Sequence, residues 1–160
     1  REAEVVTFDV NAYDFGAAEN AYRHGRCGGP DNQDCLREVV ASLNADTDAI
    51  VAEILALRNP SDTIIRTMTW PVPYIDEYRS EGTLEDLYPY WVAFNQYILQ
   101  AASEHNIPVA RVELAFNGPD GDEDPEGKGY LSPDRVHPGQ AGFSVIADLH
   151  RELGYEPLAP

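Results

Sequence analysis

The chain has 160 residues, of which 43% are hydrophobic, so it is long enough for one domain with a buried core. It contains no run of about 18 apolar residues, and we expect no membrane span. The 28 acidic residues outnumber the 11 basic ones and give a net charge of −17. This charge argues against nucleic-acid partners, because phosphates require a basic surface.

The first half of the chain predicts a strand, an irregular excursion and a long helix. β-Branched and aromatic residues predict a strand over residues 4–9, which runs into a polar turn at 11–14. Residues 16–34 are rich in glycine and polar side chains and predict an excursion without regular structure. Apolar residues at three- and four-residue spacing then predict a helix over 36–57, which Asn59-Pro60 ends.

The second half of the chain continues the alternation of predicted strands and helices. Thr83 is a predicted helix cap, with Asp86 in the capping-box position. The predicted elements, in chain order, are a buried strand over 63–69, a polar aromatic loop to 82, a helix over 84–102, a strand over 107–114, an acidic loop over 117–129 and a helix over 139–153. This order predicts a single α/β domain over residues 1–160, built on a parallel sheet with right-handed crossovers.

Cys27 and Cys35 are the only cysteines in the chain. The segment between them is short and flexible enough to close, and their spacing is too wide for a CxxC redox or zinc motif. We predict that they form a disulfide, with two free thiols as the alternative. A disulfide would indicate an oxidising compartment and therefore an extracellular or secreted protein.

No metal or cofactor site is predicted. Asp120, Asp122 and Asp124 alternate as in the first half of a calcium-binding loop. However, Pro125 stands where such a loop needs a glycine, and Leu131 stands where it needs the closing glutamate. The segment is therefore interpreted as a solvated acidic loop.

The most informative residues are Asp134 and His137, which lie three positions apart between Pro133 and Pro138. At this spacing the carboxylate can hold one ring nitrogen while the other faces a cleft, which is the base half of a catalytic triad. The same residues are also typical of a turn that begins a helix. The catalytic interpretation is favoured because the segments that follow the three strands should meet at one edge of the sheet.

These blocks resemble the SGNH or GDSL family of serine ester hydrolases over essentially the whole chain. In that family a strand ends in a GxND-like block, a long helix and a strand follow, and the chain closes with DxxHPxxxG and a helix. The corresponding stretches here are residues 6–16, 36–69 and 132–142. The resemblance implies a three-layer α/β/α fold with flavodoxin-like strand order. It also implies that His137 is the general base and that Asp134 orients it, with no cofactor or metal.

Two features of the family are altered or missing. Its nucleophile is a serine in a GDS block, and a glycine further on is a second oxyanion donor; this chain contains neither block. The chain corresponds to the family from its third strand onward, so at least one βαβ unit of roughly 30 residues is missing. In the GxND block, Asn11 replaces the glycine and Tyr13 replaces the oxyanion asparagine. Asn11 and Tyr13 are therefore candidate oxyanion donors; otherwise they are turn residues.

Aromatic residues crowd the segment after the second predicted strand. Trp70 and Tyr74 are candidates for a wall that contacts an acyl chain or sugar ring, since pockets are mostly apolar and aromatic. The alternative is that these aromatic residues, Tyr88 and Trp91 foremost, pack the following helix.

The predicted function is the carboxy-terminal part of an esterase or lipase that acts on a small ester, such as an acyl ester or an acylated sugar. This part alone would be inactive, and a second polypeptide or a longer chain would complete it. The alternative is a noncatalytic SGNH-like module that binds a carbohydrate or a protein. The strand over residues 5–10 would be an open sheet edge, so we expect it to self-associate or to recruit another polypeptide.

Overall fold

The computed structural model describes residues 3–10 and 13–158, which form a mixed α/β fold. Three strands and six helices lie in these described ranges. In chain order they are β1 (Val5–Thr7), α1 (Tyr13–Arg23), α2 (Asp34–Leu57), β2 (Ile64–Met68), α3 (Ile75–Glu81), α4 (Leu84–Glu104), β3 (Val109–Ala110), α5 (Val112–Asn117) and α6 (Gln140–Glu152).

The sheet is parallel, and β2 is its central strand in the order β1-β2-β3. β1 pairs with β2 in the register Val6↔Ile65, and β2 pairs with β3 in the register Met68↔Ala110. The predicted parallel sheet is therefore confirmed. All three strands are shorter than the apolar segments that predicted them.

Both faces of β2 are covered by helices. Ile65 packs with Val51 of α2 and Ala102 of α4. The next residue, Arg66, points to the other face and donates hydrogen bonds to the carbonyls of His150 and Gly154 at the end of α6. Four consecutive residues of β2, 64–67, are buried, as is typical of a strand in a parallel sheet.

The main core lies where α1, α2 and α4 meet. Phe15, Leu36 and Phe94 are fully buried, and the ring of Phe15 lies 4.4 Å from that of Trp91 between centroids. Each such side chain contributes about 1.5–3 kcal/mol through removal of its apolar surface from water. This core fixes α1 against the rest of the molecule, and α1 carries part of the candidate site.

Helices replace predicted loops in two places. Residues 13–23 are α1 rather than part of a turn and an excursion, because the buried side chains of Phe15 and Ala18 secure one face of the helix. Residues 75–81 are α3 rather than loop, and Gly82 ends this helix in the left-handed conformation. The capping box was also wrong: Thr83 makes no side-chain hydrogen bond to α4, and its hydroxyl donates to the carbonyl of Tyr78 instead.

The third strand was predicted too long. It ends at Ala110, because the backbone of Arg111 turns out of the extended conformation (φ −81°, ψ 69°). Residues 112–117 then form α5, which buries Val112 and Phe116. The apolar residues of this segment thus belong to a helix that contacts α6.

The predicted disulfide between Cys27 and Cys35 is confirmed. It joins the α1–α2 connection to the first turn of α2, with 4.8 Å between the two Cα atoms. A closed loop of this length stabilises the fold by about 2–3 kcal/mol on the chain-entropy estimate. In the part of the chain that the structure describes, no helix is long and apolar enough to cross a membrane.

Candidate functional site

Asp134 and His137 are joined by a direct side-chain hydrogen bond. Oδ2 of Asp134 lies 2.8 Å from Nδ1 of His137. The other carboxylate oxygen accepts three hydrogen bonds, from the Ser132 hydroxyl (2.6 Å) and from the backbone N–H groups of Val136 (2.9 Å) and His137 (3.0 Å). These bonds, led by that from Ser132, hold the pKa of Asp134 far below its usual value. The carboxylate is therefore charged at neutral pH.

The loop that carries this pair is closed by backbone hydrogen bonds. The N–H of Ser132 donates to the carbonyl of His137 at 2.8 Å, and the N–H of Gly139 donates to that of Tyr130 at 2.8 Å. Arg135 takes a left-handed conformation at the tip (φ 62°), and its Nε donates to Glu126 at 2.8 Å. The loop therefore has a defined shape although its side chains face solvent.

Gly142 lets α6 begin against this loop. A Cβ at this position would lie 2.2 Å from the carbonyl oxygen of Tyr130, well inside the contact distance. Any larger residue would push the first turn of α6 away from the segment that leads to Asp134. Close packing of α6 against this loop thus explains the glycine at the end of the DxxHPxxxG block in this chain.

The imidazole of His137 lies at the surface. Its side chain is 77% exposed, and Nε2 makes no hydrogen bond to any described residue. The neighbouring residue Val136 lines a cleft of about 560 Å³. His137 itself is not one of the residues that line this cleft.

The cleft is built from the segments that follow β1, β2 and β3. Most of its lining comes from α1, with a contribution from the segment after β2 and one from the Asp134 loop. The residues that line it are Tyr13, Gly16, Ala17, Glu19, Asn20, Pro73, Tyr74, Trp91 and Val136. This edge of a parallel sheet is where ligands bind in open α/β folds.

The other predicted site residues lie in different places. Tyr13 is 80% exposed at the first position of α1 and lines the cleft, as does Tyr74. Asn11 lies outside the described residues. Trp70 is half-buried and does not line the cleft; its indole Nε1 is buried without a hydrogen-bond partner. Trp91, which was expected to pack a helix, contributes to both the core and the cleft wall.

Two asparagine side chains hold the segment that leads from β2 to the cleft. Asn95 of α4 accepts a hydrogen bond from the N–H of Trp70 (2.8 Å) and donates one to its carbonyl (2.7 Å). Asn117 does the same for Val72, at 2.8 Å in both directions. The two asparagine amides thus make the backbone hydrogen bonds that a neighbouring strand would otherwise make. A strand could not pair fully with this segment, because its prolines lack an N–H. They fix the path of the chain into Pro73 and Tyr74.

Glu19 is a functional candidate that the sequence did not reveal. It is a cleft-lining carboxylate that is only 5% exposed. Its Oε1 accepts hydrogen bonds from the hydroxyl of Tyr78 and from Nε1 of Trp91, the latter at 3.0 Å. Burial raises the pKa of Glu19, although these two donors act in the opposite direction. The sequence feature that could have indicated this residue is its spacing from Phe15, which lies one helical turn away on the same face of α1.

One residue of the acidic loop, Asp124, has a structural role. The carboxylate of Asp124 accepts hydrogen bonds from the backbone N–H groups of Asp76 (2.9 Å) and Glu126 (2.8 Å). It thereby joins the loop to the first turn of α3. Within residues 3–10 and 13–158, no group of three or more His, Cys, Asp or Glu side chains is arranged to hold a metal ion.

Comparison with protein-family models, with curated proteins and with solved structures finds no match for this chain.

Proposed function

We propose that this chain is the Asp-His part of an SGNH-type serine ester hydrolase. The observation that carries the proposal is the 2.8 Å contact between Oδ2 of Asp134 and Nδ1 of His137, in a loop whose residue Val136 lines a cleft. The contact leaves Nε2 available to take a proton. The residues also match the DxxHPxxxG block of that family, and helices on both faces of β2 suit its three-layer α/β/α architecture.

The proposed reaction is acyl transfer through a serine that this chain does not supply. The serine hydroxyl attacks the ester carbonyl while Nε2 of His137 takes its proton, and His137 gives that proton to the alcohol as the ester C–O bond breaks, which leaves the acyl group on the serine. Water then attacks this acyl-serine with His137 again as the base, and the acid and the free serine are released. Asp134 orients the ring and stabilises the imidazolium that forms. Tyr13 is the candidate for holding the oxyanion through its hydroxyl, since this residue lines the cleft.

The disulfide supports an extracellular or secreted location for this enzyme, because such bonds persist in oxidising compartments. The cleft offers apolar and aromatic surface for the acyl or alcohol part of a small ester.

The test is hydrolysis of a short p-nitrophenyl ester by this chain joined to, or mixed with, a segment that carries a GDS serine. His137→Ala should lower the rate by about 10²- to 10⁴-fold, the usual contribution of a general base. Asp134→Asn should also be strongly impaired, because an amide can stabilise the wrong imidazole tautomer. His105→Ala is the matched control, since His105 is exposed at the end of α4.

Full activity in the His137→Ala protein would contradict the proposal. The same rate loss in His105→Ala would show that the assay reports general damage rather than loss of the base.

A noncatalytic binding module is the second candidate, and the residue that favours it is Tyr13. A tyrosine is several ångströms longer than the asparagine it replaces in the GxND block, so the oxyanion geometry of the family is altered. The two functions differ in one measurement: a module would bind a sugar or protein with no ester hydrolysis in the completed protein.

A further inference from the structure

The cleft carries one buried acid, Glu19. Its Oε1 accepts two hydrogen bonds from described residues, from Tyr78 and Trp91. Oε2 accepts none from the described residues. Both donors are neutral, so neither compensates the charge of the carboxylate. A buried carboxylate is costly unless a cation or further donors offset it.

The nearest cation is already engaged. The guanidinium of Arg23 lowers the pKa of Glu19 through its charge, but its hydrogen bonds go to Glu77 (2.8 Å) and Glu81 (2.9 Å). Among the described residues that line the cleft, Glu19 is the only one with an acidic or basic side chain. The described lining of the cleft therefore presents a single acidic group.

The rest of the cleft wall suits a cation as well. Three aromatic residues, Tyr13, Tyr74 and Trp91, line the same space. Aromatic faces attract ammonium groups, and the attraction is larger where the ring is removed from water. The Nε1–H of Trp91 donates to Glu19, so this donor is already used within the protein.

We propose that this cleft binds a protonated alkylamine, whose N–H groups donate to Oε2 of Glu19 while its charge lies against the aromatic rings. A carboxylate ligand would be repelled, and a neutral alcohol would gain only a single hydrogen bond. This ligand assignment deepens the proposed function and rests on it in one respect. If the chain is part of an esterase, the bound ammonium group belongs to an amine-bearing ester.

The test is calorimetric titration of the 160-residue chain with butylammonium, 1-butanol, butyrate and methyl glucoside at about 0.15 M salt, which screens attraction to the net negative surface. Butylammonium should bind more tightly than the three other probes. Glu19→Gln should weaken butylammonium binding about tenfold or more, since a hydrogen bond to a charged group is lost. Glu53→Gln, an exposed acid on α2, is the matched control and should bind as the wild type does.

A second variant keeps the test decisive if Glu19→Gln does not fold. Gly16 lines the cleft on α1, and a Cβ there would meet nothing within 4 Å. Gly16→Leu therefore adds bulk to the open space and should abolish butylammonium binding. Equal binding by the wild type and Gly16→Leu would overturn the proposal, as would equal binding by the wild type and a folded Glu19→Gln. Tighter binding of methyl glucoside than of butylammonium would assign the cleft to sugars instead.

These outcomes are separable from those of the esterase test. Amine binding is measured on the chain alone, whereas hydrolysis of a neutral p-nitrophenyl ester requires the added serine. Activity without amine binding would contradict only the ligand assignment, and amine binding without activity would contradict only the proposed reaction.

Discussion

Glu19 shows how a single residue links the core to the candidate site. Its neighbours in the fold are the indole of Trp91 and the hydroxyl of Tyr78, both of which also pack the main core. Removing a carboxylate from water favours its protonated form, which is why the pKa of Glu19 lies above the ordinary value of 4.5. The burial of Glu19 therefore lowers the free energy of unfolding by an amount that depends on pH.

This cost predicts a pH-dependent difference between the wild type and Glu19→Gln. Well below pH 4.5, Glu19 is protonated in both the folded and the unfolded chain. As the pH rises from 4.5 through the raised pKa, the unfolded chain loses its proton first, so the free energy of unfolding of the wild type falls. Glu19→Gln lacks this loss and should become more stable relative to the wild type over that interval.

Urea unfolding of both proteins at a series of pH values measures this difference. The charged and titratable groups that interact with Glu19 remain in both proteins, so their own titration largely cancels in the difference between the two free energies of unfolding. These groups are Tyr78, Tyr74, Arg23 and Glu77. A difference that stays constant with pH would show that Glu19 has an ordinary pKa in the folded chain.

At the scale of elements, the connection after β2 is held by side chains from two helices. Asn117 is 2% exposed, and its amide makes three hydrogen bonds, two to the backbone of Val72 and one to the carbonyl of Glu123. Val72 is equally buried. The position of Pro73 and Tyr74 in the cleft therefore depends on α4 and α5.

Asn117→Leu should destabilise the fold by about 2–4 kcal/mol. Leucine is close to asparagine in size, but it leaves the buried N–H and carbonyl of Val72 without partners, and each such group costs about 1–3 kcal/mol. Chemical denaturation measures the loss. Gln96→Ala, at an exposed position of α4, should change stability by no more than about 0.5 kcal/mol. Equal stability of the wild type and Asn117→Leu would contradict the role given to this amide.

The elements that the sequence predicted are those with a strong apolar pattern. The long apolar stripes of α2 and α4 and the buried run of β2 were recognised because tertiary contacts and local pattern agree there. α1 was missed because its buried face includes Glu19, a charged residue that pattern analysis assigns to solvent. Residues 112–114, which belong to α5, were predicted as the end of the third strand because their backbone conformation depends on contacts with α6, which local sequence does not contain.

The candidate site was partly accessible to sequence reasoning. The spacing of Asp134 and His137 places both on one short loop, so their contact could be predicted locally. The asparagine amides could not, because Asn95 and Asn117 lie far in sequence from the backbone they bind. Their only local signal is a polar residue beside apolar ones in a helix.

At the scale of the whole molecule, β1 is an edge strand in the described part of the chain. The carbonyl of Glu4 and the N–H of Phe8 bond to β2 (2.9 and 3.1 Å), so the backbone groups of Val5 and Thr7 face away from the sheet by alternation. Val5 is 49% exposed. Such an edge favours pairing with another chain, whereas the net charge of −17 opposes self-association.

We predict that the purified chain self-associates or recruits another polypeptide through β1. Thr7→Pro should weaken this association, because proline removes an outward N–H while the bond from Phe8 to β2 remains. Val6→Pro is the matched comparison, and it should unfold the edge because Val6 pairs with β2. Light scattering that shows a stable wild-type monomer at all concentrations, with cooperative unfolding, would contradict the prediction.

The pairing of Asp134 with His137 is tested most directly by NMR spectra of the imidazole nitrogens, at a pH where the ring is neutral. Because Oδ2 of Asp134 accepts from Nδ1, the spectra should show the proton on Nδ1 and a free lone pair on Nε2. Asp134→Asn should change this tautomer distribution, whereas Asp148→Asn should not. A proton on Nε2 in the wild type would contradict the assignment of His137 as a base oriented by Asp134.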